Sequence, residues 1–143
     1  GKGIVLGATS NTDANTLDDY EEGTWTIDVE GSSTAGTCTY VSRTAKYRKI
    51  GSQVTVWFSY AMNSHNGSGT MRIATLPFTA ASFGHVGSMM YDSFSTSGAA
   101  QGLVPYVSNT TYIQYYGSSD NADWVAQNIE AAHSAIGCVT YTT

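Results

Sequence analysis

The acids Asp18, Asp19, Glu21 and Glu22 crowd into one short segment and form the densest group of chemically capable side chains in the sequence. Carboxylate oxygens suit calcium, and two carboxyls held roughly 5 Å or 6.5–9.5 Å apart can serve a glycosidase. Neither chemistry is supported by the local pattern. The EF-hand spacing is absent, and acids side by side on one loop raise one another's pKa without a cleft to give them separate roles. The preferred reading is structural: Asp18 or Asp19 caps a turn, and the other acids contact the basic segment Arg43 to Lys49, of the same chain or of a neighbouring subunit.

A second group lies in the other half of the chain, where Tyr112, Tyr115 and Tyr116 precede Ser118, Ser119, Asp120, Asn121, Asp123 and Trp124. Flat aromatic faces beside short hydrogen-bonding groups are what sugar recognition requires, and Tyr and Trp bring contact area at low entropic cost. The candidate ligand-binding residues are therefore Tyr112, Tyr115, Tyr116, Asp120, Asn121, Asp123 and Trp124. An alternative places Tyr112 and Tyr116 in the core or a subunit interface, with Tyr115 packed on a neighbouring strand. Trp25 and Trp57 fall mid-strand and read as core or interface.

No other constellation emerges. His65, His85 and His133 are dispersed, without the ligand spacing of a zinc site, and each reads as an exposed or hydrogen-bonded histidine. The abundant serines include no Gly-x-Ser-x-Gly elbow, and Gly67-Ser68-Gly69 lacks the lysine and helix of a phosphate loop. No catalytic residue, metal site or cofactor is nominated, and the expectation is a protein that is not an enzyme.

The elements that would position these residues are strands. Few charged residues and many Gly, Ser, Thr and Tyr match an all-β chain. Residues 1–15 read as a short strand and a linker continuing from an upstream region, and 16–143 as a single β-sandwich domain. From Thr24, residues Trp25, Ile27 and Val29 alternate with polar neighbours. Thr37 to Arg43 and Ala45 to Ile50 follow, then a two-residue turn at Gly51-Ser52. Gln53 to Met62 carries apolar groups on both faces, so a strand covered on both sides is expected. Further strands are expected over Thr70 to Leu76, ended by Pro77, and over His85 to Tyr91, Gly102 to Val107, Tyr112 to Tyr116 and Ala135 to Tyr141. Asp120 to His133 fits either one short helix or a structured loop. The whole predicts an antiparallel β-sandwich or jelly roll with at most that helix.

A net charge of -5 argues against nucleic acid, because phosphate binding needs clustered Lys and Arg. No apolar run approaches the ~20 residues that cross a bilayer, and no signal pattern opens the sequence, so a soluble chain without membrane insertion is expected. Cys38 and Cys138 could close a loop spanning most of the chain, or remain two buried thiols acting as small apolar groups. The second reading is preferred.

Three motifs extend these readings. Asn15-Thr16-Leu17-Asp18-Asp19-Tyr20-Glu21-Glu22-Gly23-Thr24-Trp25-Thr26, then Tyr47-Arg48-Lys49-Ile50-Gly51-Ser52-Gln53-Val54-Thr55-Val56, then Leu76-Pro77-Phe78-Thr79-Ala80 occur in that order. The segment from Asn15 to Ala81 resembles a module found near the C-termini of bacteriophage tail-fibre and related virion proteins. Where that family has Pro after the Trp-Thr pair, this chain has Ile27, which would let the first strand continue where the family's bends. The resemblance implies a virion module made in the host cytoplasm and no chemistry of its own. As a tail-fibre tip it would be a homotrimer that attaches to a host-surface receptor, expected to be a glycan, and that contacts other virion proteins. An apolar face on the Trp25 or Trp57 strand would then be covered by trimerisation. Two alternatives remain: a monomeric carbohydrate-binding module of a larger protein, or a structural decoration domain whose acidic segment docks onto another virion protein.

Overall fold

Apolar residues at every second position, broken by Gly, Ser and Asn, fold the chain into two antiparallel sheets packed together as a β-sandwich. The structure is a computed structural model that describes residues 4–5, 16–17, 19–95, 102–118 and 122–143, and no helix occurs among them. One sheet has the spatial order β3 (Tyr20–Thr24), β5 (Cys38–Ile50), β6 (Gln53–His65), β13 (His133–Thr142) and β9 (Ser88–Asp92). The other runs β4 (Asp28–Gly31), β7 (Met71–Ala74), β11 (Ile113–Gly117), β10 (Leu103–Val107) and β8 (His85–Val86), with β12 (Val125–Ala126) also paired to β11. Two short strands, β1 (Ile4–Val5) and β2 (Thr16–Leu17), pair with each other.

The core lies between the sheets. Val54, Val56, Phe58, Tyr60 and Met62 of β6 point inward and meet Val29, Met71, Ile73, Val107, Ile113 and Tyr115 from the facing sheet. Phe58 stacks on Tyr115 with ring centroids 6.5 Å apart. Gly137 makes room for that ring, since a Cβ there would sit 2.5 Å from Phe58 Cζ. Each large side chain buried in this way contributes about 1.5–3 kcal/mol of transfer free energy.

The turns follow local chemistry. Gly51 has φ +57° and joins β5 to β6 through a two-residue loop, with Ile50 opposite Gln53. Positive φ at the first loop position alone is the II′ arrangement, which suits the right-handed twist of the strands. Leu76 to Ala80 caps one end of the sandwich: Leu76 and Ala80 are buried, and the Tyr141 hydroxyl donates to the Phe78 carbonyl at 3.1 Å.

Several expected strands are drawn differently. The segment from Thr24 is not one strand but a crossing between sheets. β3 ends at Thr24, Ile27 plugs the core at the corner, and β4 begins at Asp28 in the opposite sheet. The first strand therefore does not continue through Ile27 as expected, because both Ile27 and Val29 gain burial by making the bend. His85 to Tyr91 divides in the same way at Gly87, into β8 of one sheet and β9 of the other. Thr37 to Arg43 and Ala45 to Ile50 instead form one strand, β5, with a bulge between Thr39 and Ser42. Bulges absorb one extra residue without ending a ladder.

Two further expectations are corrected. β6 is covered on one face only, since Trp57 on the other remains 43% exposed between Thr55 and Ser59. Residues 122–132 contain β12, an isolated bridge from Asn128 to Thr70 and otherwise irregular backbone, so the helical option fails for the described part of Asp120 to His133. Their polar groups are met by neighbouring strands: Gln127 N–H donates to Tyr115 O at 2.8 Å, and Met71 N–H to Gln127 O at 2.8 Å. Asp120 and Asn121 lie outside the described residues.

Candidate functional site

Strand alternation decides which aromatics reach the surface. In β10, Leu103, Pro105 and Val107 face the core, which turns Val104 and Tyr106 outward. In β11, Ile113, Tyr115 and Gly117 face inward, which turns Gln114 and Tyr116 outward. Antiparallel register then sets Val104 opposite Tyr116, and Tyr106 opposite both Gln114 and Val86. Tyr106 and Tyr116 meet edge to face at 5.3 Å. With Val86, Val104, Ser118 and Trp124 they line a groove of about 330 Å³ on the outer face of the second sheet. Trp124 forms an open wall, at 76% exposed.

The sequence-derived candidates separate in this frame. Tyr116 and Trp124 come together in the groove, and Asp123 is exposed immediately beside Trp124. Tyr112 lies away from the groove, with the Arg72 guanidinium 4.4 Å from its ring centroid. Tyr115 is withdrawn into the core at 1% exposed, its hydroxyl 3.0 Å from that of Tyr60. It cannot touch a surface ligand, because its position in β11 has the opposite parity to Tyr116. Asp120 and Asn121 fall outside the described residues, as does Asp18. Val86, Val104 and Tyr106 were missed. The signal for them was the alternation across Leu103 to Val107, readable only once the inward set was known.

The basic segment and the acids do meet, within one chain. Lys49 pairs with Asp19, and Arg48 lies 3.5 Å from Glu22. The Tyr20 hydroxyl donates to Glu22 at 2.7 Å, and the Tyr47 hydroxyl to Glu21 at 2.5 Å. The Tyr20 bond, aided by the Arg48 charge, holds the Glu22 carboxyl below its usual range. A general acid needs the opposite shift. Glu22, Gly23, Lys46, Tyr47, Arg48 and Trp57 border a second groove, of about 560 Å³, on the outer face of the first sheet.

The histidines serve the fold. Gly67 N–H donates to His65 Nδ1 at 2.9 Å, which leaves Nε2 to carry the proton toward Val29 O, also at 2.9 Å. His133 is buried with Nε2 2.9 Å from the Tyr60 hydroxyl, and its Nδ1 has no partner among the described residues. Burial pulls its pKa down to about 4. Cys38 and Cys138 are unbonded and half-buried, near Met62 Sδ and the Ser88 hydroxyl respectively. Among the described residues no cluster of three or more His, Cys, Asp or Glu could hold a metal ion.

The structure is a β-sandwich of two packed antiparallel sheets, with an aromatic groove on one outer face and a mixed charged groove on the other. The same fold occurs in the crystal structure of the Dettilon tailspike protein (gp208), with a TM-score of 0.60 over 92% of this chain at 16% identity. This chain spans 26% of the length of that protein, and at that identity the likeness establishes a shared fold. No family model matches the chain, and no curated protein matches it.

Proposed function

We propose that the chain is a non-enzymatic module of a phage virion, a tail-fibre or tailspike part that attaches to a glycan on the host surface. The observation that carries this reading is the groove of Val86, Val104, Tyr106, Tyr116 and Trp124, an exposed apolar and aromatic surface on a rigid sheet. Such patches on a soluble domain mark binding sites, and aromatic walls stack on the apolar faces of sugar rings. Further support comes from the fold shared with a tailspike protein. Asp19, Glu21 and Glu22 are engaged by Lys49, Tyr47, and Tyr20 with Arg48, respectively, which favours a structural role for them over acid–base catalysis.

In this reading residues 16–143 form the binding module and 1–15 its link to an upstream region. The module works as a homotrimer within the virion. Met90 and Ile136 sit opposite each other, both exposed, beside the edge strand β9. A neighbouring copy would cover that apolar pair and protect the edge in one step. The test is a screen of host-surface glycans with the native chain and Trp124→Ala, alongside solution mass by light scattering. Glycan binding lost in the variant, by a trimeric species, supports the reading. Binding by a stable monomer would favour a carbohydrate-binding module appended to a larger protein.

A further inference from the structure

The second groove differs from the first in charge, and that difference assigns it a ligand. Five of the six Lys and Arg residues are described. Arg43 donates to Ile27 O at 2.8 Å, Arg48 faces Glu22, Lys49 pairs with Asp19, and Arg72 stacks on Tyr112. Lys46 alone of these has a side chain with no hydrogen bond, ion pair or ring contact among the described residues. It is exposed on β5, opposite Thr24 of β3 on one side and Trp57 of β6 on the other. Directly opposed residues in an antiparallel sheet stand about 4.5–5.5 Å apart, so an ammonium and an indole share one small surface.

We propose that this groove binds an acidic saccharide, a sugar ring bearing one carboxylate, with the ring on Trp57 and the carboxylate on Lys46. An exposed indole offers a stacking face, and an uncommitted ammonium offers a charge-assisted hydrogen bond at the adjoining position. Arg48 and Glu22, one row away, supply donors and acceptors for ring hydroxyls. The nearby Glu22 charge also sets the valence. It offsets Arg48, so the groove holds one uncompensated positive charge, which matches a carboxylate and disfavours a dianionic phosphate. The site is independent of the groove on the second sheet, and it lies toward the opposite edge of the first sheet from the Met90–Ile136 pair.

The test is calorimetric titration of the whole chain with trigalacturonate and with its methyl ester, which keeps the ring and removes the charge. The acid form should bind with an affinity that falls as salt rises, and the ester roughly tenfold more weakly. Lys46→Gln should bring the acid form down to the level of the ester, Trp57→Ala should abolish both, and Trp124→Ala should change neither. Lys46→Gln is decisive if Trp57→Ala proves unstable, since its side chain is outside the core. Equal binding of acid and ester, an unchanged affinity in Lys46→Gln, loss of binding in Trp124→Ala, or no binding of either form would overturn the proposal. None of these results bears on neutral glycans held by Trp124.

Discussion

The groove on the second sheet is walled by Val86, Val104, Tyr106, Tyr116 and Trp124, whereas the groove on the first sheet sets Lys46, Arg48 and Glu22 around a single Trp57. Both stand on strands whose inner faces share one core, in which Phe58 of one sheet stacks on Tyr115 of the other. Strand periodicity allows this division. Inward positions are tied to packing density, and the alternate outward positions are released to carry different surface chemistry on each side.

The largest effect should come from breaking what the two grooves share. Phe58→Ala removes a fully enclosed ring from the sheet interface and should cost about 3–5 kcal/mol in urea denaturation, with both binding activities lost together. Retention of one activity in that variant would mean that the sheets are less coupled than the core implies.

The next effect concerns acid. His133 titrates near 4 in the folded chain, against about 6.5 when unfolded. Between those values the unfolded chain takes up a proton that the folded chain refuses, so stability should fall as pH drops from about 6.5 to 4, by about 2–3 kcal/mol in all. His133→Phe should flatten that part of the pH–stability profile, with denaturation midpoints across the range as the readout. An unchanged slope would place the acid sensitivity elsewhere.

Smaller effects separate the grooves from each other. Trp124→Ala should weaken binding of a neutral host glycan by roughly tenfold while changing stability by less than about 0.5 kcal/mol, because the side chain packs on no core residue. Equal loss of glycan binding in Trp57→Ala would erase the proposed contrast. Smallest of all, Glu22→Gln should leave the melting temperature unchanged and raise the affinity for trigalacturonate by about two- to threefold, through removal of a nearby negative charge. A fall in that affinity would show that hydrogen bonds accepted by the Glu22 carboxylate outweigh its repulsion of the ligand charge.

Alternation made most strands legible, and the Gly51 turn could be placed from the freedom of glycine alone. The errors fell where burial overrides local pattern. Ile27 and Val29 keep a strand-like spacing through a corner because both turn into the same core, and His85 to Tyr91 keeps one across Gly87 while its two pieces join different sheets, with Met89 and Tyr91 packed on the core and Val86 and Met90 exposed. Trp124, Val125 and Ile129 suggested a helix, yet Gln127 and its neighbours bond to Tyr115, Met71 and Gly69 along the sheet.

Of the candidate site, Tyr116 and Trp124 were visible as aromatics in a polar stretch. Tyr115 looked the same and is core, since one residue along a strand reverses the face. Composition, periodicity and turn residues were sufficient to determine an all-β chain of short antiparallel strands with a tyrosine-rich second half. Only the tertiary structure decided which face of each strand is inside, and so brought Val86 and Tyr106 to Trp124, and Lys46 to Trp57. Those pairings join residues distant in sequence through strand register, which is fixed by the fit of two sheets around a common core.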